Sequence, residues 1–314
     1  MCDQSTVTMK NITATGNSAK AEGGAIYQYA WGGSLGITNC TFTNNTAVNK
    51  GGAICDGAKT PVTISGGKFE GNSSKTGGAI YMDTIMANSP ANITIKDATL
   101  FNNNVATGGD GGAFVIADST SAGTNAVSLT MNGITFEGNK SYNMGGALAT
   151  DTTSSSLVIN ATNCIFKENQ AGYNSTGTPG GGAVEIQNGN GFANGDPTSH
   201  KIVFTGCTFT SNSAPGVGGA VDIRSCSYVK FDSLTAMGNV CTNKWNGAVL
   251  YLTSEGSRLY LTGTITASDN TAGGKDTFAY INNAKAWLYT TGDNTQSWVP
   301  MTYSMSEIKY NQTF

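Results

Sequence analysis

Charge is scarce in this chain: Asp, Glu, Lys and Arg make up 12% of its 314 residues, about half the usual ~25%. Apolar residues make up 39%, so the chain is too hydrophobic and too weakly charged for disorder. It has two arginines, Arg224 and Arg258, a net charge of −3 and no long Lys/Arg cluster. That argues against a nucleic-acid partner, whose phosphates demand a basic stripe, and equally against strongly acidic polymers. One histidine, His200, excludes a multi-histidine metal site. Proline is scarce, at six, and the 42 glycines do not fall at every third position, which excludes a collagen. So much Gly, Asn and Thr is equally unsuited to a helical bundle. No run of 18 apolar residues is present, so no transmembrane helix is expected. The opening MCDQSTVTMKN lacks the apolar stretch of a signal peptide. Seven dispersed cysteines form no CxxC pair and are read as small buried hydrophobes.

What is abundant is a repeat. Gly-Gly-Ala begins at Gly23, Gly51, Gly77, Gly111, Gly145, Gly181 and Gly218, with Asn246-Gly247-Ala248 read as a degenerate copy. An apolar residue follows each one. A second motif precedes each triplet: Phe, two residues, then Asn, as in Phe42 to Asn45, Phe69 to Asn72 and Phe136 to Asn139. Ala replaces Phe in the outer copies, Ala14, Ala236 and Ala267. Nine such asparagines run from Asn17 to Asn270 at irregular spacing. Fixed motifs joined by variable stretches predict a stacked solenoid with loops of unequal length.

The stretches between motifs are short period-2 runs rich in Ile, Val, Thr and Phe, such as SLTMNGITF over 128–136. About three short strands per unit predict an all-β parallel β-helix of about nine rungs. At ~4.8 Å per rung it would be a rod roughly 40 Å long. The parallel-crossover rule makes it right-handed. Phenylalanines should stack along the axis inside. The Asn lies at odd spacing from the Phe, so the chain must bend between them, and stacked amides should bond rung to rung. The Gly-Gly pair should supply backbone angles that a Cβ disfavours, or permit close backbone approach.

Repeated Gly-Gly-Ala-(Ile/Leu/Val) alternating with Phe-x-x-Asn resembles the repeats of chlamydial polymorphic outer membrane proteins, over about residues 11–280. The resemblance implies a right-handed parallel β-helix and a bacterial, secreted or cell-surface, adhesin-like role without catalytic residues. The repeat region is set at 1–280, and 281–314, rich in Trp and Tyr, is expected to be a divergent rung or cap. The open first rung suggests that the native protein continues upstream, as part of a longer surface protein.

Alternation within the strand after Gly-Gly-Ala places the residues two and four past Ala in solvent. That face would carry Tyr27, Tyr29 and nearby Trp31, then Tyr81 and Asp83, all candidate ligand-binding residues because aromatic faces stack on sugar rings. It would also carry Asp151, Glu185, Asp222 and Arg224 on successive rungs, and Leu250 and Leu252 further on. Close carboxylates can serve as an acid/base pair. The expected function is a non-enzymatic adhesin-like segment that binds a host surface or glycan through loops at 82–92, 117–127, 172–180 and 188–200. The alternatives are a polysaccharide-active lyase or glycoside hydrolase using the carboxylate face, and a structural spacer. No cofactor is expected, although Asp110 and Asp196, both in Gly-rich loops, are candidate calcium ligands. His200 is read as lying in a polar loop.

Overall fold

The computed structural model describes residues 6–28, 33–57, 61–83, 91–117, 126–152, 156–188, 200–224, 228–243, 246–253, 258–282, 287–290 and 302–304. The chain coils into a parallel β-solenoid, and each turn contributes a strand to each face. The first sheet has ten strands, from Thr6–Lys10 to Trp287–Thr290; the second has nine, from Thr13–Thr15 to Thr266–Ser268. Two-residue strands such as Ser18–Ala19 and Val105–Ala106 form a narrow corner. The sheet that follows Gly-Gly-Ala has ten strands, from Ile26–Gln28 to Thr302–Ser304. Among the described residues all pairings are parallel except one: Lys275–Asp276 folds back antiparallel on Thr271–Ala272. Among the described residues no helix is long and apolar enough to cross a membrane.

One apolar core runs along the axis from the first rungs to Ile281. Its spine is a phenylalanine stack. Phe42, Phe69, Phe101, Phe136, Phe166 and Phe209 lie ring on ring, with centroids 4.7–5.1 Å apart and planes within 11°. Where Ala236 ends that column, Phe204 and Phe231 of the first sheet supply the volume. They stack on each other at 5.1 Å and meet Phe209 edge-on at 5.5 and 6.4 Å.

Beside the spine runs the asparagine ladder. The backbone N–H and side-chain Nδ2–H of Asn104 both donate to Oδ1 of Asn139, at 3.0 and 2.9 Å. The other Nδ2–H donates to the Phe69 carbonyl of the preceding rung at 2.9 Å. The same three bonds recur at Asn45, Asn72, Asn139, Asn169, Asn212 and Asn239. The odd Phe-to-Asn spacing is resolved by one residue. In all nine copies the residue just before the ladder Asn has positive φ, including Asn44 (53°), Glu168 (55°) and Ser211 (55°). That kink turns a side chain that would face solvent into the core. A non-Gly residue there costs about 1–2 kcal/mol, which the buried bonds offset.

The two glycines of each pair answer to the two reasons given for them, one each. Gly145, like the other first glycines, has positive φ (62°). Gly146 has none, but a Cβ there would overlap the Gly182 carbonyl oxygen one rung on. The degenerate copy is offset by one residue from its sequence reading. Gly247 has the positive φ (67°), Ala248 takes the second-glycine place against Gly219, and Leu250 pairs with Val221. Leu250 and Leu252 are therefore core residues, and Tyr251 takes the outer position.

The five described cysteines, Cys40, Cys55, Cys164, Cys207 and Cys241, are unpaired and buried. His200 is not in a loop: it opens the strand His200–Thr205, is buried, and its Nδ1 accepts the Leu157 N–H at 3.3 Å.

Asn139→Ala would leave the Asn104 backbone N–H, one Asn104 Nδ2–H and the Phe101 carbonyl without these partners, at a cost on the order of 3 kcal/mol or more. Gly133→Ala, at φ 66° in open space, should cost only about 1–2 kcal/mol. Gly146→Ala should cost on the order of 4 kcal/mol or more, because whole rungs must separate. Thermal melts of the three variants by circular dichroism check this order.

Candidate functional site

The sheet after Gly-Gly-Ala carries Tyr27, Tyr81, Asp83, Asp151, Glu185, Asp222 and Arg224. Its second outer column is in continuous register: Tyr27, Cys55, Tyr81, Val115, Ala149, Glu185, Asp222, Tyr251 and Tyr280. Contrary to the alternation argument, most of this column is buried. Cys55, Tyr81, Val115, Ala149, Glu185 and Asp222 are all 6% exposed or less. The cause is the turn that enters each strand. The first glycine of the pair curls against the side chain four residues on: Gly77 against Tyr81, Gly111 against Val115, Gly145 against Ala149, Gly181 against Glu185. A strand read alone does not show that cover.

At the N-terminal end Tyr27 is 53% exposed, whereas Tyr29 and Trp31 lie outside the described residues. Tyr81 and Asp83 are not presented to solvent. Lys50 lies over the Tyr81 ring at 4.5 Å and bridges Asp83 at 3.5 Å and Glu22 at 3.9 Å. The Cys55 thiol donates to Glu22 at 3.8 Å. Burial pushes both the Tyr81 hydroxyl and the Cys55 thiol well above their ordinary ranges.

Asp222 is fully buried and held by Arg224 of its own strand: Nε donates at 3.1 and 3.2 Å and Nη2 at 2.7 Å. The guanidinium end is partly exposed. Gly180, at the end of the 172–180 loop, packs on the Asp222 carboxylate and on Val217. That loop folds onto its neighbouring rung, with Gly216 under Thr178 and Gly172 under Pro215. One rung before Asp222 stands Glu185, with Oε1 buried and lacking a hydrogen-bond partner. Burial, then the nearby Asp222 and Asp110, push its carboxyl well above the usual range. Burial also outweighs Arg224 at Asp222, raising that carboxyl to about 6. Asp151 is exposed, on the neighbouring outer column with Gln187 and Arg224.

Asp110 is half-buried and accepts the Met144 N–H at 3.0 Å; Asp196 lies outside the described residues. Among the described residues no three Asp, Glu, His or Cys side chains are placed to hold a metal. Of the predicted contact loops, 84–90, 118–125 and 189–199 lie outside the described residues, and 172–180 is the one seen whole. Sequence reasoning missed Tyr251 and Tyr280, which stack at 5.6 Å with planes 5° apart. The one-residue offset at Gly247 hid them.

Three segments, residues 39–56, 67–83 and 133–151, match the Chlamydia polymorphic membrane protein repeat. Each spans a Phe-x-x-Asn, a Gly-Gly-Ala and the outer-column residue after it. In those three rungs the chain is similar to the polymorphic membrane protein repeat. No curated protein and no solved structure matches the chain. In terms of the repeat, Glu185, Asp222 and Arg224 lie on rungs beyond the matched segments, on positions that the repeat's own spacing defines.

Raised carboxyl pKa values fix the sign of a pH effect. The contribution of Glu185 and Asp222 is fully present below their ordinary values of 4.5 and 3.8. It is lost as pH rises through about 6 for Asp222, and through the raised folded-state value for Glu185. Glu185→Gln mimics the protonated acid. Its melting temperature should match the wild type near pH 4 and exceed it increasingly towards pH 8. A gap that is constant, or that widens towards acid, contradicts the assignment.

Proposed function

We propose that the chain is a passenger segment of a bacterial cell-surface protein, a rod that holds adhesive surfaces away from the membrane and contacts a host surface or glycan. The observation that carries this reading is the set of three polymorphic membrane protein repeats on rungs of one continuous solenoid. The architecture suits the task. A rod built by adding equivalent rungs sets reach by rung number, and the connections between rungs can vary without disturbing the core.

A polysaccharide-active enzyme finds less support. Glu185 has the raised carboxyl of a general acid, but both Asp222 oxygens bond Arg224, and Asp222 has no exposed surface from which to act as base or nucleophile. The pair is read as a positioning element.

The test is attachment. Beads coated with the purified chain should adhere to cultured epithelial cells more than beads coated with an unrelated β-solenoid. Epitope-tagged protein in its native cell should be cut by protease added to intact cells. Absence of both would overturn the reading. Release of soluble sugar from a polysaccharide panel, abolished by Glu185→Gln, would favour the enzyme.

A further inference from the structure

We infer that the outer face of the sheet after Gly-Gly-Ala, over its last four well-packed rungs, is a binding site for a neutral pyranose chain. The inference rests on the passenger reading and names the ligand chemistry of one face. Its parts come from rungs 29 to 37 residues apart in sequence that register brings together: Glu185, Asp222, Tyr251 and Tyr280 in one column, Gln187 and Arg224 in the next.

Tyr251 and Tyr280 are parallel and half-buried, and their 5.6 Å separation is that of an offset pair. Each ring therefore leaves part of a face uncovered by the other. Aliphatic C–H faces of a sugar ring stack on such surfaces, as the apolar body of an amphipathic ligand does on Tyr. Beside them, Arg224 is fixed by its three bonds to the buried Asp222, so its guanidinium loses little freedom on binding. Gln187 offers both a donor and an acceptor. Glu185 is buried beneath the same column and offers no surface of its own, so the ligand contacts fall to Tyr251, Tyr280, Arg224 and Gln187. Successive rungs offer equivalent positions every ~4.8 Å, which suits a polymer laid along the rod better than a single compact ligand.

Charge selects a neutral sugar. Asp222 cancels Arg224, Glu185 is held towards its neutral form, and exposed Asp151 stands on the strand next to Gln187. A uronate or sulfate would meet that carboxylate, whereas uncharged hydroxyls can use it as an acceptor.

The test uses the full chain and tetrasaccharides of β-glucan, mannan, galactan and N-acetylglucosamine, with oligogalacturonate as the charged comparison, read by titration calorimetry. Binding of at least one neutral tetramer is expected. Tyr251→Ala and Tyr280→Ala should each weaken it at least tenfold, and Arg224→Lys several-fold, with melting temperatures shifted by only a few degrees. Tyr228→Ala, which removes a ring stacked on Tyr260 at 4.5 Å on the first sheet, should leave it unchanged. No neutral binding by folded protein, binding that survives the Tyr251→Ala/Tyr280→Ala double variant, or binding of the uronate alone would overturn the site. Cell attachment is scored separately. Sugar binding lost in the double variant while attachment persists keeps both readings and separates them; no sugar binding with attachment removes this site and keeps the passenger reading, and sugar binding without attachment does the reverse.

Discussion

Everything in this rod depends on holding successive turns in register, and the amide ladder is the interaction that does so. Each interior ladder asparagine, from Asn45 to Asn239, bonds forward to the next rung and backward to a carbonyl of the rung before, a Phe carbonyl in all but the first. A turn displaced by one residue would break both sets at once. The bonds sit in a dry core, where an unmet amide is expensive, so the energetic gap between correct and slipped pairing is wide. The phenylalanine stack adds burial but little register, because a ring tolerates sliding that an amide does not.

That division of labour explains why rungs of very different length coexist. Successive ladder asparagines are separated by 27 residues in one rung and 43 in another. The extra residues leave between anchored strands and return to a fixed register. The glycine pairs make the complementary contribution at the other corner. One glycine takes the turn and one leaves space for the neighbouring carbonyl, so the sheet after them begins at the same place in every rung. The outer columns of that sheet are then aligned by the backbone rather than by contacts among the outer side chains, which leaves those positions open to carry function.

The interior was legible in the sequence because it is dictated by repetition. Phe42 to Phe209, the nine asparagines and the glycine pairs each announce their place by recurring beside the same neighbours. The outer face was legible only in outline. Glu185 and Asp222 were placed in the correct column, but their burial depends on the glycine turn curling over residue i+4, a tertiary effect that period-2 alternation does not contain. Tyr251 was missed for a different reason. Reading Asn246-Gly247-Ala248 as the triplet set the copy back by one residue, and in a strand that exchanges inside for outside. Gly247 alone marks the true phase, through its positive φ. His200 was misplaced because the polar stretch before it gave no sign of where the strand begins.

The direction of the hydrogen bonds has a mechanical consequence. Strand-to-strand bonds and the amide ladder all point along the long axis, so a pull on the two ends loads the rungs in series rather than in shear. The weakest turn yields first while its neighbours stay folded. Each turn that peels away lets out about 30 residues, roughly 100 Å of extended chain at ~3.3–3.6 Å per residue. A tether of this construction lengthens stepwise under flow and limits the force that reaches whatever its far end is holding.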